Sequence, residues 1–113
     1  MRRVEKPWGH EEIWAETAQY VGKILFVKAG HRLSLQHHEK KTETLRVQSG
    51  EIELELDDDR GVLQKTRKKA GESWHIEPGR RHRFTAISDC ELCEVSTPEL
   101  DDVVRHEDDY GRS

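Results

Sequence analysis

The longest uninterrupted run of aliphatic or aromatic residues in this chain is four, Ile24-Leu25-Phe26-Val27. A transmembrane helix needs ~20 apolar residues, so none is expected. The start, Met1-Arg2-Arg3-Val4-Glu5-Lys6, has no apolar stretch behind it, and the expected address is the cytoplasm. Glycines at 22, 30, 50, 61, 71 and 79 divide the chain into short segments. Several of these alternate with period two. Glu43-Thr44-Leu45-Arg46-Val47-Gln48 does so, and Glu51-Ile52-Glu53-Leu54-Glu55-Leu56 sets Ile and Leu inward and Glu outward. Residues 23–28, 32–38, 62–66, 73–76, 82–86 and 92–95 read as further short strands, and 57–61 as a turn. No helical apolar stripe precedes residue 98. The pattern predicts an all-β antiparallel sandwich or barrel. After Pro98 six acids accompany Leu100, Val103 and Val104 at helical spacing, which predicts a short helix or an ordered tail.

With 113 residues there is room for one domain. We place its barrel core at about 20–97 and its tail at 98–113. Charged residues make up 37% of the chain, against a usual ~25%, so the core must be compact. The net charge of −4 argues against a nucleic-acid binder, whereas one local basic cluster is enough for a small anion. Cys90 and Cys93 form a C-x-x-C on a predicted strand. Residues three apart on a strand point to opposite faces, so these thiols would not chelate together.

The histidines carry the chemical signal. Gln36 and His38 are two apart on a predicted strand and share a face. Glu43 can return from the next strand, and His82 opens a later one. Two imidazoles, a carboxylate and a carboxamide oxygen form an N/O donor set suited to a borderline divalent ion. His37 falls on the opposite face, and His10, His31, His75 and His106 read as structural or solvated.

These residues resemble the two cupin motifs. Gly30, Gln36, His38, Glu43 and Gly50 fall at the positions of the first, with Gln36 in place of its first histidine. Gly71, Gly79 and His82 match the second, with Glu77 replacing its proline and Ala86 its asparagine. The resemblance implies a jelly-roll, double-stranded β-helix barrel with a metal at Gln36, His38, Glu43 and His82. Zinc is the first choice, with manganese, cobalt, nickel and iron compatible. Lys6-Pro7-Trp8-Gly9, the stretch from Gly30 to Gln36, and the ending Arg105-His106-Glu107-Asp108-Asp109-Tyr110-Gly111-Arg112 are similar to the type II phosphomannose isomerases. In that family this cupin is often the C-terminal domain of a bifunctional mannose-1-phosphate guanylyltransferase. This chain departs from it at His37-His38-Glu39-Lys40, where Met-His-His-His is common.

The family resemblance implies a metal-dependent isomerase interconverting mannose 6-phosphate and fructose 6-phosphate. It makes Arg112 and Lys23 the candidate catalytic cations, and Arg83 and Arg112 the candidates for holding the substrate phosphate. It leaves the general base open. The expected partner is a small sugar phosphate, with no nucleic acid and no membrane, and a homodimer is expected. The rival readings are a non-catalytic sugar-phosphate-binding cupin, a cupin enzyme of other metal chemistry such as an oxygenase, and a sugar-nucleotide epimerase.

Overall fold

The computed structural model describes residues 2–112, which form eleven strands and no helix. In chain order they are β1 (Arg2–Lys6), β2 (Gly9–Glu16), β3 (Val21–Val27), β4 (Leu35–His37), β5 (Glu43–Ser49), β6 (Glu51–Asp57), β7 (Leu63–Lys69), β8 (Ser73–Ile76), β9 (His82–Ala86), β10 (Cys90–Ser96) and β11 (Val104–Glu107). One antiparallel sheet runs β1-β2-β3-β10-β5-β8 and the other β11-β4-β9-β6-β7. Among the described residues no helix is long and apolar enough to cross a membrane.

The alternation seen in the sequence sets the layers. Leu45 and Val47 of β5, Ile52 of β6, Ile76 of β8 and Leu92 of β10 lie between the sheets with no exposed surface. Burying such a side chain contributes about 1.5–3 kcal/mol. Register aligns these positions across strands: Leu92 sits opposite Leu25 and Val47, and Leu54 opposite Phe84. The β5–β6 turn needs Gly50, whose φ is +82°. A Cβ there would also collide with the Asp89 carbonyl.

Strand pairing organises the two ends of the chain. The N-terminal residues, outside the expected core of about 20–97, form β1 and β2, with β1 at the sheet edge. The tail is ordered but not helical, because Val104–Glu107 pairs with β4 as β11. Leu100, Val103 and Val104 have helical spacing, yet backbone pairing to an open sheet edge prevails. Bidentate ion pairs fix the residues beyond β11, from Arg32 to Asp109 at 2.6 and 2.8 Å and from Arg112 to Asp108 at 3.0 Å each. Cys90 is buried and Cys93 lies on the other face, as the spacing requires. Burial pushes the Cys90 thiol up to about 11.

Candidate metal centre and its cavity

A cavity of about 410 Å³ lies between the sheets, within the ~300–1,000 Å³ typical of small-molecule sites. Four predicted ligands line it: Gln36, His38, Glu43 and His82. Gln36 of β4 is directly opposite His82 of β9 in register, so both side chains leave the sheet on the same face. Glu43 opens β5, and His38 follows β4 on the loop between them.

The loops holding the two imidazoles are tied down separately and to each other. The Asp102 carboxylate accepts the backbone N–H groups of Glu39, Lys40 and Lys41 at 2.8–3.0 Å. Burial opposes its ionisation, but these three bonds prevail and hold its pKa at about 2. The turn before His82 runs Glu77-Pro78-Gly79-Arg80, closed by Arg80 N–H to Glu77 C=O at 3.3 Å, with Gly79 at φ +83°. Proline second and a positive-φ glycine third is a type II turn. Pro78 therefore does the work of the proline that the motif places one residue earlier. Gly79 N–H donates to the His38 carbonyl at 2.8 Å, which joins the two loops.

The hydrogen bonds also set the tautomers. His38 Nδ1 faces the Asp102 carbonyl at 2.5 Å, and His82 Nδ1 faces the Arg80 carbonyl at 3.0 Å. A carbonyl only accepts, so each Nδ1 carries a proton, and each ring presents its Nε2 to the cavity, the orientation a metal ligand needs. Both Nε2 atoms lie 3.3 Å from Glu43 Oε1. Three acceptor atoms thus converge, all within 4.8 Å of one another, among buried residues. A divalent cation placed among these three atoms would be ligated by all of them. Backbone carbonyls orienting ligand imidazoles are a usual feature of metal centres. The donor set fits a divalent ion.

Around the trio runs a buried ionic chain. Lys41 Nζ lies 3.2 Å from both Glu43 and Glu94, and Lys23 Nζ lies 3.2 Å from Glu11 and 3.7 Å from Glu94. Burial works against ionisation of Glu43, but its contacts with His38 and His82 and the Lys41 charge hold it well below the usual carboxylate range. Burial is also the larger influence on Glu94, and with repulsion from Glu43 it moves that carboxyl up. Burial disfavours the Lys41 ammonium, yet Glu94 and Glu43 raise its pKa overall. A cation bound beside Glu43 would add to Lys41 in offsetting these closely set carboxyls.

The predicted cations divide. Lys23 and Arg112 line the cavity, with Lys23 pinned by its two carboxylates and Arg112 by Asp108. Arg83 does not line it. Alternation sends His82 and Phe84 inward and Arg83 the other way, where its guanidinium donates to the carbonyls of Leu33 and Glu107 at 2.9 and 3.2 Å. It joins β9 to the tail and is not placed to hold a phosphate in this cavity. Sequence reasoning missed Lys41, Glu94, Glu11, Lys6 and Arg105, all of which line the cavity. A signal for three of them was present. Glu94 shares parity with Leu92 and Cys90, Glu11 with Ile13, and Lys41 with Glu43.

Two antiparallel β-sheets closed over a polar cavity make this a cupin, a double-stranded β-helix. A Klebsiella pneumoniae protein with a double-stranded β-helix domain superposes with a TM-score of 0.72 at 20% identity, covering 93% of this chain and 84% of that one. Residues 1–108 match the family described as Mannose-6-phosphate isomerase C-terminal, and the chain belongs to it. It is 35% identical to the xanthan biosynthesis protein XanB of Xanthomonas campestris over 99% of its length, and 34% identical to an Escherichia coli mannose-1-phosphate guanylyltransferase over 98%. The chain spans about a quarter of each of these relatives, 24% and 23% respectively.

Proposed function

We propose that this chain is a metal-dependent sugar-phosphate isomerase that interconverts mannose 6-phosphate and fructose 6-phosphate. The observation that carries the reading is the convergence of His38 Nε2, His82 Nε2 and Glu43 Oε1 in a cavity that also holds a carboxyl outside the ligand set, Glu94. The family match and the mannose-phosphate chemistry in the name of the E. coli relative support the choice of substrate.

The reaction moves one proton between C1 and C2 through an enediolate. It needs an electrophile at the carbonyl oxygen, a proton-transfer group and a grip on the phosphate. A divalent ion held by His38, Glu43, His82 and the Gln36 carboxamide, with zinc the first choice, would polarise the carbonyl and stabilise the oxyanion. Glu94 is the proton-transfer group in this reading, since it faces the cavity between Lys23 and Lys41. Such general acid–base help contributes about 10²–10⁴-fold. Lys23 and Lys41 orient this carboxyl, and Arg112 contributes positive charge for the phosphate.

The test is a coupled assay on mannose 6-phosphate with protein stripped by chelator and reloaded with zinc, manganese, cobalt, nickel or ferrous iron in turn. Turnover restored by metal and absent in His38→Ala is the expected result. A folded, metal-loaded protein without turnover would reject the isomerase in favour of a binding cupin.

A further inference from the structure

Alternation gives the six-stranded sheet an outer face, turned away from the cavity, and register orders it into rows. Phe26 of β3 lies beside Glu91 of β10. Ile24 lies beside Cys93, with Glu12 of β2 next on one side and Arg46 of β5 next on the other. Gly22 lies beside Val95, between Ala15 and Thr44. A β-bulge adds Trp14 to this face. Ile13 pairs with Lys23 and Ala15 with the adjacent Gly22, so Trp14 is the extra residue, and bulges re-aim side chains. Its indole lies against Gly22, where a Cβ would come within 2.8 Å of Cζ2.

The centre of the face is therefore Trp14, Ile24, Phe26, Cys93 and Val95, with Trp14 53% and Val95 50% exposed. Contiguous exposed apolar surface with a polar rim marks an interaction site. At about 4.8 Å between strands and 3.3 Å per residue, the sheet presents roughly 600 Å² in projection. Side-chain relief adds to this, and a stable complex buries about 800 Å² per partner. The area suits a protein surface.

The charges indicate which one. Glu12 and Arg46 share a row, each one strand beyond the central pair β3–β10. A two-fold axis along the strands, between β3 and β10, lays β2 on the partner's β5. It sets Glu12 against the partner's Arg46, and Arg46 against the partner's Glu12. Ile24 then meets the partner's Cys93, and the indole over Gly22 meets the partner's Val95. An axis across the strands would instead set Glu12 on Glu12 and Arg46 on Arg46. Within one chain these two charges are weakly engaged. Arg46 donates to the Gln48 carboxamide at 2.8 Å, and Glu12 lies 3.8 Å from His10. Stacked sheets align within about 30°, an offset that long Glu and Arg side chains span.

We propose that two copies of this chain pair through the outer faces of this sheet, about the axis along the strands. The cavity lies on the sheet's opposite face, so this pairing does not depend on the isomerase reading.

The experiment is sedimentation velocity on the full chain at micromolar concentrations. Wild type, Glu12→Arg, Arg46→Glu and Val95→Lys are compared, with circular dichroism and thermal midpoints verifying the fold of each. Wild type should be a dimer. Each charge reversal brings like charges together twice, and should weaken the dimer about a hundredfold. Val95→Lys places an ammonium in the apolar centre and should leave monomers. An equimolar mixture of the Glu12→Arg and Arg46→Glu chains should dimerise about as well as wild type, because every facing pair is then opposite in sign. A merely damaged fold would not give that rescue. Monomeric wild type, or a dimer that all three variants leave intact, would overturn the interface. So would folded Glu12→Arg and Arg46→Glu chains that stay monomeric when mixed.

Discussion

Four strands carry both halves of the interior on the same inward-facing positions. Toward one end these positions are apolar: Leu45 and Val47 on β5, Leu92 and Cys90 on β10, Leu25 and Val27 on β3, Phe84 and Ala86 on β9. One step further along each strand the inward residue becomes ionisable: Glu43, Glu94, Lys23 and His82. All are buried alike, so burial does not distinguish core from site. The difference lies in partners. The apolar half is held by close packing. The ionisable half is held by ion pairs and by carbonyls that orient rings, and it brings three potential ligand atoms together.

Changes on the two sides should therefore separate metal binding from stability. The largest effect belongs to His38→Ala. It removes one of three converging ligands, and we expect stoichiometric metal and turnover to fall to background while the fold persists by circular dichroism. Lys41→Met comes next. It leaves Glu43 and Glu94 buried without the ammonium that lies 3.2 Å from each. Breaking such a pair costs about 3–5 kcal/mol. In urea unfolding the loss should be greater for metal-free than for zinc-loaded protein, because the bound ion supplies positive charge beside Glu43. Equal losses would break the proposed link between the ionic chain and the metal.

Leu92→Ala tests the other side. It opens a void in the apolar half at a cost of about 2–5 kcal/mol. Urea unfolding should report this loss while elemental analysis finds metal content unchanged. The smallest effect is that of Asp102→Ala, which removes the acceptor of three backbone bonds on the His38 loop at about 1–2 kcal/mol. The folded pKa of Asp102, about 2, lies below its unfolded value. Its contribution is therefore complete above roughly pH 4 and lost as pH falls toward the folded value. The stability gap between wild type and Asp102→Ala should close over that acid range and stay constant above it.

The same contrast explains what could be read from sequence. The strands of the apolar half were legible because alternation of Leu, Val and Ile with polar residues encodes facing directly. The four predicted ligands were legible from motif spacing: Gln36 and His82 meet on the paired strands β4 and β9, and the connection from β4 to β5 brings His38 beside Glu43. Glu94, Glu11 and Lys41 were not, since a charged residue in an alternating strand reads as solvent-facing unless its parity with the apolar set is checked. Arg83 failed in the opposite sense: it is buried, but on the parity opposite His82, where it binds main-chain carbonyls. β11 and the N-terminal pair β1–β2 depend on edge pairing. For β11 the partner, β4, is distant in sequence, and local spacing carries little of that information.

The central claim is that the ionisable half of the barrel holds one divalent ion through His38, Glu43 and His82. Elemental analysis after zinc loading and exhaustive dialysis, on wild type, His82→Ala and Leu92→Ala, tests it most directly. The account predicts one zinc per chain in wild type and Leu92→Ala and none in His82→Ala. Stoichiometric zinc in folded His82→Ala, or none in wild type, would contradict it.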